Sequence, residues 1–326
     1  MKKAIPGLLI SALFIYLSVK DTDFQGIAGG LIKMNYRYIL PFLLTMLIMQ
    51  ILRAWRWGLI LNPLGRIGPL PLFAITSVGF LAITALPARL GELGRPYLVS
   101  RNSSIKMSAA LGTVFVERII DGVTILTIAS LTTFFTTLPG WLLKANVIFF
   151  IFNLALVSGV FFAVFGRERV ERLLNLFLRI FPKKWEKTVT RLLRHFLDGF
   201  LVIGNGRQLF QILLMSFLIW LIDVLAIYIL FAAFNFTLPP VAAFVLMIIL
   251  IIGIAIPTAP GFIGNWHFSC VLGLGLFGVA KTEAFTFALI YHFLAVGLVV
   301  MLGIVFLPSI RFSFADLWKE AKNTLS

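Results

Sequence analysis

A single cysteine, Cys270, in 326 residues leaves no partner for an intramolecular disulfide and excludes a CxxC pair or a cysteine zinc site. Histidine is nearly as scarce: His195, His267 and His292 are the whole set, and no HExxH string sets two of them on one helix face. Charge is thin as well, at 13% of residues against 60% hydrophobic, with a mean hydropathy of +1.02. Soluble domains carry about 25% charged residues, so a bilayer suits this chain better than water. The sequence calls for no cofactor and no metal, and any catalysis would have to work within the membrane.

Acidic residues number 13 against 28 basic ones, a net charge of +15. In a soluble protein that excess would suggest nucleic acid. Here the basic residues gather in loops beside apolar spans, which positive-inside sorting explains, and no nucleic-acid partner is expected. The apolar runs are unbroken, whereas barrel strands alternate apolar and polar residues. In lipid only helices and closed barrels satisfy every backbone hydrogen bond, so helices remain.

Apolar segments run over 4–19, 38–61, 70–86, 107–138, 142–165, 209–234, 239–256, 268–280 and 284–307, against the ~20 residues a crossing needs. Lys2 and Lys3 precede the first, and no small-x-small cleavage site precedes Lys20, so it reads as a retained signal anchor. Segments 70–86, 239–256 and 268–280 are short and bordered by Pro and Gly clusters.

Parity then constrains the topology. The stretch from Phe165 to Gln208 carries Arg167, Arg169, Arg172, Arg179, Lys183, Lys184, Lys187, Arg191, Arg194 and Arg207, which places it in the cytoplasm. Leu173, Leu174, Phe177, Leu178 and Phe181 follow at helical spacing, predicting an amphipathic helix on an anionic leaflet. For span 142–165 to arrive inside at Arg167, span 107–138 must leave from inside, so segment 70–86 enters and returns. Segments 239–256 and 268–280 likewise form a hairpin entered from outside.

The expected fold is therefore an all-α polytopic membrane protein with about six full crossings plus two re-entrant hairpins, arranged as an inverted repeat. The alternative is eight simple transmembrane helices. Residues 1–326 form a single membrane domain: 1–138 is the first half and 142–307 the second. The second half contains a basic amphipathic cytoplasmic segment over 166–208, and a cytoplasmic tail, 308–326, follows it. The expected location is the cell (inner or plasma) membrane, with both termini cytoplasmic. Pro87-Ala-Arg-Leu-Gly91 and Pro260-Gly-Phe-Ile-Gly264 share a P-x-x-x-G tip, and each precedes a polar pair on the next span, Glu117-Arg118 and Tyr291-His292.

Three constellations can carry function. Arg89, Glu92 and Arg95 sit at the first tip, where Gly91 and Gly94 permit close approach of backbone to ligand and guanidinium groups suit phosphate; the bland alternative is an interfacial loop meeting headgroups. Glu117, Arg118 and Asp121 interrupt an apolar span, where ionisable groups cost at least ~2.5 kcal/mol each near the bilayer centre; a structural ion pair is the alternative. Pro257, Pro260, Gly261, Gly264, Trp266 and His267 mark a helix break that exposes backbone groups to a substrate, or else a proline kink. Asp223, alone among apolar neighbours, needs a partner such as Arg118, His267 or His292. Arg53 and Arg56, beside Trp55 and Trp57, read as snorkelling interfacial anchors. Gly273-x-Gly275-x-x-Gly278 fits a dinucleotide pattern but has no βαβ context, so helix packing by small residues explains it better.

Arg53-x-x-Arg56-Trp57, Pro87-x-Arg89-x-Gly91-Glu92-x-x-Arg95, Glu117-Arg118-x-x-Asp121 and Pro257-x-x-Pro260-Gly261-x-x-Gly264 together resemble the flippase-like family named for the transmembrane region of lysylphosphatidylglycerol synthases. The likeness covers nearly the whole chain. The family usually places Glu where this chain has His267, Arg near His292, and a second glycine where it has Phe262. Those departures suggest a His–His contact in place of a Glu–Arg one, and a His pair titrates near physiological pH. The resemblance implies movement of a lipid between leaflets. It does not imply aminoacyl transfer, which in bifunctional relatives belongs to a separate soluble domain.

The function expected is a lipid translocator for an anionic or aminoacylated phospholipid or a polyprenyl-phosphate-linked lipid. Its partners are membrane lipids with an anionic or phosphate-bearing headgroup. The candidate substrate-binding residues are Arg89, Glu92, Arg95, Glu117, Arg118, Asp121, Asp223, Pro260, Gly261, Gly264, Trp266, His267 and His292. A membrane-embedded enzyme or accessory subunit of lipid or glycan transfer, and a small-solute carrier, are the alternatives.

Overall fold

The computed structural model describes residues 5–86, 91–165, 191–192, 194–256 and 258–310, and no strand occurs among them. The helices are α1 (Ile5–Val19), α2 (Phe24–Lys33), α3 (Ile39–Leu61), α4 (Pro69–Ala85), α5 (Gly94–Asn102), α6 (Met107–Thr132), α7 (Gly140–Phe165), α8 (Gly206–Ala233), α9 (Pro240–Ala255), α10 (Asn265–Gly275) and α11 (Lys281–Phe306). Most boundaries fall close to the expected spans. Helices α2 and α5, too short or too polar to register as apolar runs, were not expected. Asp23 starts α2 by accepting the amides of Gln25 and Gly26, as an N-cap does. Pro69 and Pro240 open α4 and α9, where the missing N–H costs nothing.

Among the described residues, Tyr36–Leu61, Gly140–Gly159, Gly206–Ala233 and Lys281–Ser309 are long and apolar enough to cross a membrane. Helix α6 has 26 residues, about 39 Å at 1.5 Å per residue, but carries Glu117, Arg118 and Asp121. With 17 and 16 residues, α4 and α9 reach about 25 Å, short of a ~30 Å hydrocarbon core. The architecture is that of a polytopic helical membrane protein.

In lipid, both faces of a helix are apolar, so packing rather than hydropathy separates them. Helix α3 buries Phe42, Met46, Met49, Arg56, Trp57 and Ile60 and exposes Leu40, Leu44, Ile48, Ile51 and Trp55. Helix α8 buries Ile212, Ser216, Ile219, Ala226 and Leu230 and exposes Leu214, Leu218, Leu221 and Leu225. These stripes face each other along the α3–α8 contact, the most extensive between two helices among the described residues.

Loop contacts group the helix ends. At one end, Lys281 Nζ meets the Lys20 carbonyl, the Asp23 amide donates to Thr282 Oγ1 at 3.2 Å, and the Asn35 amide donates to the Ala233 carbonyl at 2.7 Å. At the other end, Ile105 lies 3.3 Å from where a Cβ on Gly65 would stand, and the Gln208 amide donates to the Leu59 carbonyl. Helices α4 and α5 therefore leave and return at the Gly65 end, while α9 and α10 leave and return at the Ala233 end. Helix α4 packs on α11 and α9 on α6; α3 also touches α11, and α8 touches α6.

Two apolar cores result among the described residues. One joins α8–α11 with Phe42 and Met49 of α3, and the other joins α3–α6 with Phe200 and Ile212. The cytoplasmic segment expected over 166–208 lies mostly outside the described residues. Of it, Phe196 and Phe200 pack on Phe115 of α6, ring centroids 5.8 and 6.1 Å apart. Of the tail expected over 308–326, residues 311–326 lie outside the described residues.

Candidate functional site

Glu117 and Asp121, one turn apart on α6, point toward α3, where Arg56 lies between them. Its Nη2 is 2.9 Å from Glu117 Oε1 and 3.1 Å from Asp121 Oδ2, and its Nη1 reaches Asp121 Oδ1 and, at 2.7 Å, Ser216 Oγ of α8. Arg95 of α5 takes the other oxygen of Glu117 at 2.9 Å and lies 4.0 Å above the Trp57 ring. Trp220 Nε1 donates to Asp121 at 3.1 Å. Two guanidiniums thus balance two carboxylates, all of them buried, and the network ties α3, α5, α6 and α8 together.

Arg56 therefore corrects the interfacial-anchor reading: at 1% exposure it does not snorkel. A path to the headgroups would cost it two charged partners held at hydrogen-bond distance. The Arg53-x-x-Arg56-Trp57 string divides by helix face. Trp55 looks outward at 61% exposure, Trp57 is enclosed and donates to Thr113 Oγ1, and Arg53 faces a cavity.

That cavity, of about 260 Å³, lies between the two helix breaks. Arg53 of α3, Phe80 and Thr84 of α4, Glu92 before α5, and Glu117, Arg118 and Asp121 of α6 line it on one side. Asp223 and Trp220 of α8, Phe262 and Trp266 at the second break, and Tyr291 of α11 line the other, with Met46, Met49, Met247, Ile251 and Val296 as apolar wall. The Arg118 side chain keeps 44% of its surface exposed and stands 4.0 Å from Asp121 Oδ2.

Of the expected site residues, Glu92, Glu117, Arg118, Asp121, Asp223 and Trp266 converge on this space. Arg95, Pro260, Gly261, Gly264, His267 and His292 do not line it, and Arg89 lies outside the described residues. Asp223, for which a partner such as Arg118, His267 or His292 was expected, lines the cavity together with Arg53 and Arg118, while His267 and His292 do not line it. Arg53 was missed because its place beside two tryptophans suggested an interface. The available signal was its spacing, since residues 49, 53 and 56 share one helix face.

The second break is built around left-handed backbone, with φ of 69° at Gly261, 59° at Phe262 and 98° at Gly264; Pro257 lies outside the described residues. Ser11 of α1 bridges it: its hydroxyl donates to the Ile263 carbonyl and accepts the Ala259 amide, both at 2.8 Å. A Cβ on Gly264 would stand 2.6 Å from the Ser11 carbonyl oxygen. Asn265, fully buried, donates to the carbonyls of Gly253 and Ile256, satisfying the end of α9 as helix termini require. His292 Nε2 donates to the Gly261 carbonyl at 2.7 Å, and the rings of His267 and His292 lie 4.8 Å apart. The two histidines are thus in contact, as the departures from the family pattern suggested. At the first break Gly91 presses on α4 so closely that a Cβ would overlap the Ala82 carbonyl.

These landmarks follow the order of one described family: the model of the lysylphosphatidylglycerol synthase TM region matches residues 5–303. The chain belongs to that family. Curated relatives of this lysylphosphatidylglycerol synthase TM-region protein include a UPF0104 membrane protein of Methanocaldococcus jannaschii, 25% identical over 73% of this chain and 96% of its own. A UPF0104 membrane protein of Methanothermobacter thermautotrophicus is 23% identical over 86% and 88%. A second M. jannaschii protein is 21% identical over 91% and 92%. No solved structure matches. The family assignment and the apolar helices make this a multi-pass membrane protein.

Proposed function

We propose that this lysylphosphatidylglycerol synthase TM-region protein translocates a lipid by seating its phosphate-bearing headgroup in the central cavity while the tails stay in the bilayer. The observation that carries the reading is the position of Arg53 and Arg118. Both line a membrane-depth cavity, whereas Arg56 and Arg95 are consumed by Glu117 and Asp121. Ionisable groups at such depth are expensive and normally serve a substrate path, and planar guanidiniums suit phosphate. A volume of about 260 Å³ falls just under the ~300–1,000 Å³ of small-molecule sites, which fits a headgroup and not a whole lipid.

The helix order supports an inverted repeat, α3–α4–α5–α6 corresponding to α8–α9–α10–α11. Lengths of 23, 17, 9 and 26 residues are followed by 28, 16, 11 and 26. Exchanging the halves turns the α4–α11 contact into α9–α6, and α3–α11 into α8–α6. With the Gly65 end cytoplasmic, α4–α5 and α9–α10 become re-entrant hairpins from opposite sides, the arrangement of alternating-access carriers, and both termini face inward.

Reconstitution in liposomes with fluorescent phospholipids and a polyprenyl phosphate tests the reading. Accelerated leaflet exchange that falls at least tenfold in Arg118→Gln is expected. No acceleration for any of these lipids overturns it.

A further inference from the structure

We infer a second site, for the phosphate headgroup of an anionic lipid, at the end of the bundle where α3 finishes and α8 begins. A cleft of about 510 Å³ opens there and shares no lining residue with the central cavity. Arg66 and Arg207 bring two positive charges to it, and no acidic side chain lines it. Both arginines are exposed, and among the described residues neither guanidinium has an ion-pair or hydrogen-bond partner.

The walls are fixed. The Gln208 side chain donates to the Leu59 carbonyl, fastening α8 to the last turn of α3, and Asn205 caps α8 by accepting the Gln208 amide at 3.1 Å. Positive-inside sorting explains basic residues scattered over a loop surface. It does not explain two unpartnered guanidiniums in one polar concavity whose shape is held by hydrogen bonds. Arginine forks match phosphate oxygens, and basic pockets between transmembrane helices take anionic headgroups. The rim carries Leu59 and Leu201, the latter 47% exposed, an apolar lip that fits glycerol and acyl carbons and favours a lipid over free phosphate.

The test is thermal denaturation of the full purified chain in detergent, titrated separately with a short-chain phosphatidylglycerol, the matching phosphatidylcholine and inorganic phosphate. Phosphatidylglycerol is expected to raise the midpoint of the wild type well above the other two probes. Measured in an Arg118→Gln background, which weakens binding at the central cavity, that shift should fall severalfold on adding Arg66→Gln/Arg207→Gln. If the double variant does not fold, Arg66→Lys/Arg207→Lys keeps the charge and should give a smaller shift through loss of the planar fork. An undiminished shift in either double variant overturns the site, and inorganic phosphate matching phosphatidylglycerol overturns the lipid as its ligand.

Discussion

Ser11 in the first helix and Ile263 in the second break, 252 positions apart, are joined by a 2.8 Å hydrogen bond. The same hydroxyl holds the Ala259 amide, and Phe14 one turn on stacks against Phe268 with ring centroids 5.0 Å apart. Helix α1 therefore braces a strained stretch of backbone as well as anchoring the chain. Ser11→Ala should lower stability by about 1–3 kcal/mol, the cost of buried polar groups left unpaired. Gly264→Ala should be worse, since it adds a contact with Ser11 at a φ of 98°. Melting midpoints in detergent check the order, and a wild-type midpoint for Gly264→Ala would sink the argument.

Arg56→Met should be among the most damaging single changes. Removing it leaves Asp121 with only the 4.0 Å ionic contact to Arg118 and Glu117 with only Arg95, and breaking a buried pair costs about 3–5 kcal/mol. Arg56→Lys should rescue only in part, because an ammonium cannot bond Glu117, Asp121 and Ser216 with a fixed fork. Yield of monodisperse protein by size exclusion reports both.

Arg118→Gln should separate folding from function. Its side chain is 44% exposed and only 4.0 Å from Asp121 Oδ2, so the stability change should stay within ~0.5 kcal/mol, as for surface positions, while lipid exchange falls. An equally large loss of melting midpoint would return Arg118 to a structural role.

Phe262 holds φ at 59° on the cavity wall. A bulky residue there stores about 1–3 kcal/mol of backbone strain. Phe262→Gly should leave the midpoint unchanged or raised and widen the range of headgroups exchanged. A collapse in stability would mean the ring packs more than it strains.

Single cysteines introduced into a Cys270→Ser background should divide by helix end. Asn62 and Arg101 should label from one side of the membrane, and Asp21, Asn235 and Lys281 from the other. Labelling of Asn62 and Asn235 from the same side would overturn the proposed topology.

The sequence by itself determined the solvent and the long apolar helices with most of their ends, though not the short α2 and α5, because apolar run length and Pro or Gly punctuation are local properties. The family strings at Arg56, Arg95, Glu117 and Pro260 were legible for the same reason. Which face of each helix turns inward was not, since lipid and protein interior are both apolar and leave no hydropathy contrast between Leu44 and Met46. Only the tertiary structure decided that Arg53 faces Asp223 across the cavity while Arg56 is consumed by Glu117 and Asp121. Only it decided that Ser11 reaches the second break and that Arg95 packs behind the site. Those outcomes depend on partners 22 to 252 positions away, and no local pattern encodes such pairings.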